Sequence, residues 1–416
     1  MNFGRLHIDL EVLRSPDFRL LGLSQIGSVA GEQILTVAIT VSVLNAGGDA
    51  SAVGLVLASR GLASVFFLLA GGVWADRLPR RLVLMGAYIV ATLAAGVLVL
   101  IPMRPPIWSL ASVIFVAGAA DAFIRPAFNA ILRGVLTDDQ RVSARALIGI
   151  CVRIGVIAGP SAGVALLADG SARPAFGVTA AVFAFVAIVF WSMDEPRWTP
   201  VRGRSMLADA VTGFAEARRR PWLVALLLFS PISLMFVIAP TQVLLPFVSR
   251  DTFGSYAVFG TALACYGVGG LVGSLAMMAW RPRSPGTVAM GAMALYALVP
   301  LALLYAPSSW VLFGCYLIAG FGVEIYALQW DVAVQREIPD HLIGRITSLA
   351  WLSTFGLMPF GQMLTGPLVN LVGTAAVLLV ATGLVLVVPP YLLLVDGMTR
   401  LQTTPTMRPR GESSDN

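Results

Sequence analysis

Ionisable side chains interrupt several long apolar stretches of this sequence. Six of them are Glu32, Arg60, Asp121, Arg125, Arg153 and Glu324. A charged residue at the centre of a bilayer costs about 2.5–3.5 kcal/mol on insertion scales, so each of these is a functional candidate. A carboxylate in an apolar cavity can bind and release a proton. Arg153 is expected to pair with another helix rather than to contact a substrate.

The three carboxylates differ in their sequence surroundings. Asp121 and Arg125 are four residues apart, a spacing that lets them pair on one helix face. Because the arginine favours the ionised carboxylate, Asp121 is expected to stay charged and to position Arg125. Glu32 and Glu324 are better candidates for proton coupling, and Glu32 is the first choice. The alternative for Glu32 is a structural ion pair with Arg60.

Few residues suit metal binding or covalent catalysis. His7 and His341 are the only histidines, and Cys151, Cys265 and Cys315 all fall in apolar stretches. Such cysteines are expected to be buried thiols without disulfides. With no cluster of histidine, cysteine and aspartate in view, we predict no metal site, no cofactor and no enzymatic activity.

The composition is that of a membrane protein. Hydrophobic residues make up 57% of the chain and charged residues only 12%. Stretches of about 20 apolar residues recur, the length that crosses a hydrocarbon core of about 30 Å. The alternating ten-residue strands of a membrane barrel are not seen. The sequence predicts an all-α polytopic membrane protein, and the net charge of +6 gives no indication of nucleic-acid binding.

Twelve transmembrane helices can be assigned from the apolar stretches. They lie near 18–45, 51–73, 82–102, 107–131, 143–168, 174–193, 222–248, 255–280, 286–305, 309–333, 343–368 and 372–395. The predicted domains are a six-helix bundle at 1–195, a cytoplasmic linker at 196–221, a second six-helix bundle at 222–395 and a tail at 396–416. Part of the linker, "LADAVTGFAEARRR", is predicted to form an amphipathic surface helix. The polar tail is predicted to be disordered.

The arginines predict the orientation of the helices, because cytoplasmic loops carry an excess of basic residues. All 28 basic residues are arginine. With the N-terminus inside, 22 of them fall in cytoplasmic segments, and only Arg104, Arg173 and Arg250 fall on the opposite side. Both termini are therefore predicted to be cytoplasmic, in a bacterial inner membrane.

The two halves of the chain repeat one another. The stretch "GGVWADRLPRR" follows the second span, and "MAWRPRSPG" follows the eighth. Gly159 and Pro160 in the fifth span have a counterpart in Gly366 and Pro367 of the eleventh. A parallel repeat of six helices is typical of transporters in which one half rocks against the other around a midplane site.

The stretch "GGVWADRLPRR" resembles the loop 2–3 signature of the major facilitator superfamily. Gly72, Asp76, Arg77 and Arg81 match the signature in place, whereas its central glycine is Pro79 here. The resemblance implies that these four residues form a conformational gate, in which Asp76 caps the eleventh helix and closes the cytoplasmic side. The alternative for the arginines is that they only follow the positive-inside rule.

Three further stretches, "SPDFRLLGLSQIGSVAGEQI", "AFIRPAFNAIL" and "IPDHLIGRITSL", are similar to the drug and siderophore exporter branch of that superfamily. This branch includes macrolide-efflux-like and enterobactin-exporter-like proteins. The resemblance covers most of the chain and implies the major facilitator fold, with twelve helices in two six-helix bundles. It also implies a central cavity lined by spans one, four, seven and ten, which Glu32, Asp121, Arg125 and Glu324 would face.

The fifth span carries a second family element, in "GVIAGPSAG". Gly155, Gly159, Pro160 and Gly163 match a pattern that the superfamily associates with proton-coupled antiporters. Small residues four apart let helices approach closely, and a proline bends its helix. The alternative is ordinary packing of small residues between helices.

The expected function is that of a secondary active transporter. We expect a proton-coupled antiporter that exports a bulky lipophilic small molecule, such as a drug, an antibiotic or a siderophore, by alternating access. Its expected partners are this substrate, protons and the lipid bilayer, and it is expected to be a monomer. The alternative is uptake of a nutrient or metabolite by the same fold.

Overall fold

The computed structural model describes residues 10–102, 105–135, 141–193, 217–280 and 282–402. The regular elements in these ranges are helical. A helix satisfies its backbone hydrogen bonds within itself, as a chain this apolar requires inside a membrane. Most of the predicted linker, with most of its amphipathic helix, lies outside the described residues.

Six long helices make up the first half. They are α1 (Pro16–Asn45), α2 (Ala50–Arg77), α3 (Arg80–Leu100), α4 (Ile107–Val135), α5 (Arg141–Ala165) and α6 (Arg173–Ser192). The start of α1 shows why the first helix begins where it does. The Ser15 hydroxyl accepts a hydrogen bond from the backbone N–H of Phe18 at 3.4 Å, and Pro16 fits the first helical position.

The second half follows the same order, with three of its spans interrupted. Its helices are α7 (Pro221–Ser233), α8 (Ala239–Asp251), α9 (Tyr256–Ala279), α10 (Pro285–Ala294), α11 (Leu298–Tyr305), α12 (Ser309–Glu337), α13 (Asp340–Gly356), α14 (Met358–Val372) and α15 (Thr374–Leu392). A π turn at Leu234–Ile238 joins α7 to α8, and a 3-10 turn at Leu295–Ala297 joins α10 to α11.

Eleven helical segments among the described residues are long and apolar enough to cross a membrane. The remaining predicted span, near 343–368, corresponds to α13 and α14, which meet at Leu357. Pro359 has no N–H with which to continue the helical hydrogen bonds across this junction. The described residues are therefore those of an all-helical membrane protein, in which the eleventh of the twelve predicted spans is broken.

The two halves are packed alike and meet along two seams. Within the first half α1 packs against α5 and α2 against α4, and within the second half α9 packs against α12. Between the halves, α5 packs against α9 and α2 against α14. Each seam joins the fifth span of one half to the second span of the other, as the internal repeat would lead one to expect.

The start of the predicted tail belongs to the folded structure. Met398 and Leu401 are buried in an apolar cluster with Trp222 at the start of α7. The backbone N–H of Gly286 donates to the carbonyl oxygen of Thr399 at 3.0 Å. The boundary predicted at residue 396 is therefore too early, because ordered packing continues to residue 402. Residues 403–416 lie outside the described part of the chain.

Candidate transport site and the seams between the two halves

Arg60 on α2 connects two carboxylates inside the first half. Its Nε donates to Oδ2 of Asp121 on α4 at 2.7 Å, and its Nη2 lies 3.7 Å from Oε2 of Glu32 on α1. The alternative pairing of Glu32 with Arg60 is therefore present. The stronger partner of Arg60 is Asp121, a contact that sequence spacing did not indicate.

Besides Arg60, a serine and a second arginine act on Glu32. The Ser28 side chain donates a hydrogen bond to Glu32, and the Tyr88 hydroxyl in turn donates to Oγ of Ser28 at 2.7 Å. Arg125, on α4 one turn after Asp121, also acts on Glu32 electrostatically. Two carboxylates and two guanidinium groups thus share one region of the first half, and their formal charges balance.

Glu324 belongs to a second cluster, built across the two halves. Arg153 on α5 donates through Nη2 to Oε2 of Glu324 on α12. The Ser274 hydroxyl on α9 donates to Oε1 of the same carboxylate at 2.7 Å. The prediction that Arg153 pairs across helices is confirmed. Its partner was one of the three proton-coupling candidates.

The three carboxylates are held to different degrees. Asp121 has a short bond to Arg60, and both oxygens of Glu324 are hydrogen-bonded. Glu32 lies farther from its arginine, and its side chain is 31% exposed compared with 11% for Glu324. A weakly held and accessible carboxylate exchanges its proton with the least disturbance of its surroundings. Of the three carboxylates, Glu32 is thus the least tightly held in this conformation.

The glycines of the fifth span hold α5 tightly against α1. A Cβ atom on Gly159 would lie 2.6 Å from Cβ of Gln33, and one on Gly155 would lie 2.8 Å from Cβ of Val29. Gly163 meets α1 one turn further along. A side chain larger than hydrogen would force α1 or its side chains to shift at Gly155 and Gly159, and Gly163 leaves little room for one. The element therefore fixes α5 against the helix that carries Glu32.

The opposite face of α5 forms one of the seams. A Cβ atom on Gly260 of α9 would lie 2.8 Å from the carbonyl oxygen of Pro160. In the other seam, Gly54 of α2 packs against the carbonyl oxygen of Gln362 on α14. Small residues thus let the backbones of the two halves approach closely along both seams.

These contacts lie on one side of the molecule, here called the distal side, where α1 ends and α2 begins. The Tyr256 hydroxyl at the start of α9 donates to Oδ1 of Asn45 at the end of α1, at 3.3 Å. Asn45 also donates through Nδ2 to the carbonyl oxygen of Gly170 at 3.2 Å. The structure therefore represents a conformation closed on the distal side.

Substitution of Gly54 by valine is expected to hold the distal side open. The new side chain would overlap the carbonyl oxygen of Gln362, and overpacking of this kind costs about 1–3 kcal/mol, or about a 5- to 150-fold change in the ratio of states. Spin labels on Asp169 and Thr252, both exposed on the distal side, would report the distance between the halves. The three native cysteines are replaced by alanine for this measurement.

The matched control is Gly86→Val on α3, where a Cβ atom meets nothing within 4 Å. It should leave the label distance unchanged. An unaltered distance in the Gly54→Val protein would contradict the assignment of this seam as the closing contact.

The predicted cytoplasmic gate is only partly described. Gly72, Asp76 and Arg77 lie outside the described side chains, so their role stays a prediction. Arg81 donates through Nη1 to the carbonyl oxygen of Met193, directly after α6, at 3.0 Å. A cation at the C-terminal end of a helix is stabilised by the helix dipole. Arg81 thus contributes to the packing of the first half.

Several polar contacts were not identified from sequence. Ser28 donates to Glu32, Ser274 donates to Glu324, and Gln362 donates to Oε1 of Gln242 at 3.1 Å. Isolated serines are common in membrane helices, so only their distance from a carboxylate distinguishes these two. No group of His, Cys, Asp and Glu that could hold a metal ion occurs among the described residues.

Comparison with known proteins matches this chain to a family of membrane transporters. Residues 21–361 match the model of the Major Facilitator Superfamily. Macrolide efflux protein A of Streptococcus pyogenes is 24% identical over 73% of this chain and 76% of its own. Enterobactin exporter EntS of Escherichia coli O1:K1 / APEC is 25% identical, over 84% of both chains.

Solved structures show the same fold at lower identity. The nucleoside transporter NupG superposes with a TM-score of 0.73 at 16% identity, over 91% of this chain and 98% of its own. A bacterial homologue of the iron transporter ferroportin in an inward-facing state gives a TM-score of 0.68 at 16% identity, over the same shares.

Proposed function

Because the chain belongs to the Major Facilitator Superfamily, we propose that it is a proton-coupled antiporter that exports a bulky lipophilic small molecule by alternating access. The observation that carries this proposal is the Glu32–Arg60–Asp121 cluster on three helices of an apolar bundle. The fold and the family are those of membrane transporters.

The geometry supports proton coupling through the sharing of Arg60. In the described conformation Arg60 is divided between Asp121 and Glu32, with contacts of 2.7 and 3.7 Å. A proton on Glu32 would remove its attraction for Arg60 and leave that arginine to Asp121 alone. Protonation therefore changes both the charge of the cluster and the contacts between α1 and α2. If the protonated and the ionised cluster favour different conformations, binding of a proton and binding of a substrate are linked through the conformation. Such a protein can exchange one for the other.

The direction of transport is proposed from the orientation of the chain and from its relatives. With both termini in the cytoplasm, a conformation closed on the distal side is the one in which an exporter would load its substrate. The arginine distribution supports this orientation. The relatives are named for a macrolide and for enterobactin, and the balanced charge near Glu32 suits a substrate recognised mainly by apolar contact.

A retention assay tests this function. An efflux-deficient bacterium that makes the protein would be loaded with lipophilic antibiotics, dyes and siderophores, with and without a protonophore. We expect at least one compound to be depleted from the cells, and the protonophore to abolish the depletion. Enhanced accumulation of a compound instead would establish uptake, the alternative function. No change for any compound, with the protein present in the membrane, would contradict the export proposal.

A further inference from the structure

The folded start of the tail gathers three parts of the chain at one place. The carbonyl oxygen of Thr399 accepts a hydrogen bond from the backbone N–H of Gly286, at the start of α10, at 3.0 Å. Next to it, Met398 is buried with Trp222 at the start of α7. Three segments thus lie together at the end of the molecule opposite the distal side: 217–222, 282–287 and 396–402.

These three segments are strongly basic. Together they contain five arginines and one acidic residue, Asp396. Four of the arginines are exposed and are here called the basic patch: Arg218, Arg219, Arg283 and Arg400. At the end of α12, which joins the same apolar cluster, the charges of Arg336 and Glu337 offset one another. Exposed guanidinium groups at this density are complementary to phosphate.

An exposed apolar stripe leads along α15 to the basic patch. Val387, Tyr391 and Leu394 follow one another at about one helical turn, and their side chains are 52%, 66% and 80% exposed. The opposite face of α15 is buried at Ala381 and Val385, where the helix packs on the rest of the second half. Large apolar side chains on the outside of a transmembrane bundle face lipid, and a tyrosine favours the level of the headgroups. The stripe therefore places acyl chains next to the arginines.

The stripe and the patch are parts of one surface. α15 packs against both α7 and α10, the two helices whose starts carry the arginines of the patch. Arg400 follows Leu394 by six residues on the same folded segment. A single lipid molecule, with its headgroup at the surface and its chains along the helices, would contact both.

We propose that this surface binds an anionic phospholipid, with its phosphate at the basic patch and an acyl chain along Val387, Tyr391 and Leu394. Basic pockets between transmembrane helices bind lipid headgroups of this kind. Four arginines exceed the charge of one phosphate, so the two-phosphate headgroup of cardiolipin fits the patch better than the single phosphate of phosphatidylglycerol. Because the tail brings Arg400 to the patch, the lipid also holds the tail on α7 and α10. The inference does not depend on the proposed function.

Lipid binding by the purified full-length protein tests this inference. The protein in a neutral detergent would be titrated with cardiolipin, phosphatidylglycerol or phosphatidylcholine, and the bound lipid would be measured by native mass spectrometry. We expect cardiolipin to bind most tightly and phosphatidylcholine, whose headgroup has no net charge, to bind least. Inorganic phosphate at the concentration of the lipid should not displace cardiolipin, because it lacks the acyl chains.

A triple variant with Arg218→Gln, Arg283→Gln and Arg400→Gln should bind cardiolipin about 100-fold more weakly, since each arginine near a headgroup contributes about fivefold in affinity. Lysine at the same three positions keeps the charge and should retain most of the binding. Arg19→Gln is the matched control, because Arg19 is exposed on the same side of the molecule but lies on α1 of the first half. It should bind cardiolipin as the unaltered protein does.

Two single variants test the part played by the tail. Arg400→Gln should weaken cardiolipin binding about fivefold. Met398→Gln puts an amide into the apolar cluster and should cause a similar loss by releasing the tail, although Arg400 is intact. The melting temperature of each variant without lipid shows whether the bundle is still folded.

Three results would overturn the inference. The first is equal binding of all three lipids, and the second is unaltered cardiolipin binding by both the triple variant and Arg400→Gln. The third is an equal loss in the Arg19→Gln control, which would show a diffuse attraction to the whole basic side rather than a site.

Discussion

Substitution of Glu32 by glutamine is expected to lower the substrate gradient that the protein sustains by about 50-fold for each 100 mV of membrane potential. One proton that crosses 100 mV carries about 2.3 kcal/mol, and about 1.4 kcal/mol corresponds to a factor of ten in concentration. Glutamine keeps the size of Glu32 and can still form hydrogen bonds, but it does not titrate and so cannot bind and release a proton. The loss therefore reports proton coupling rather than packing.

The measurement is the steady-state ratio of an exported compound across the membrane of inverted vesicles at a fixed potential. Asp169→Asn is the control, since it removes an exposed carboxylate from a distal loop. It should leave the ratio unchanged. A Glu32→Gln protein that concentrates the compound as well as the unaltered protein would show that Glu32 is not in the coupling path.

Substitution of Gly159 by leucine is expected to abolish transport and to lower the melting temperature. A Cβ atom there would lie 2.6 Å from Cβ of Gln33 and 2.9 Å from the carbonyl oxygen of Ala30. Overpacking costs about 1–3 kcal/mol, and here part of the clash is with backbone, which cannot turn away. The expected response is that α1 moves off α5 and carries Glu32, the neighbour of Gln33, away from Arg60.

Gly149→Leu provides the matched control for this prediction. Gly149 lies on the same helix, and a Cβ atom there meets nothing within 4 Å. The Gly149→Leu protein should have the melting temperature and the transport activity of the unaltered protein. Equal melting temperatures for the two leucine variants would contradict the close packing of α1 on α5. Transport retained by Gly159→Leu would contradict the role of this packing in placing Glu32.

The helices and their approximate ends were predictable because each depends on about 20 neighbouring residues. Apolar length marks a transmembrane helix whatever the helix packs against. The break of the eleventh span at Leu357 is different, since a proline near the middle of an apolar run can bend a helix or interrupt it. The folding of residues 396–402 onto the bundle was likewise not predictable from neighbouring residues. It depends on a contact distant in sequence, the burial of Met398 beside Trp222.

The charged residues of the site were identified from sequence, but of their pairs between helices only Glu32 with Arg60 was among the expectations. The four-residue spacing of Asp121 and Arg125 suggested a pair within α4, but it gave no indication that Arg60 of α2 bonds to Asp121. The partner of Arg153 likewise came from another helix. Pairs between helices depend on the rotation and axial position of each helix, and these are set by the packing of the whole bundle. Spacing along one helix carries no information about them.

The most direct test of proton-coupled export uses the purified protein in liposomes that contain a pH-sensitive dye. A neutral compound that the protein exports from cells would be added outside, with no imposed potential or pH gradient. We expect the lumen to become alkaline as the compound enters, because protons leave in exchange, and we expect no change in protein-free liposomes. An acidified lumen, or entry of the compound through the protein without any change in pH, would contradict antiport.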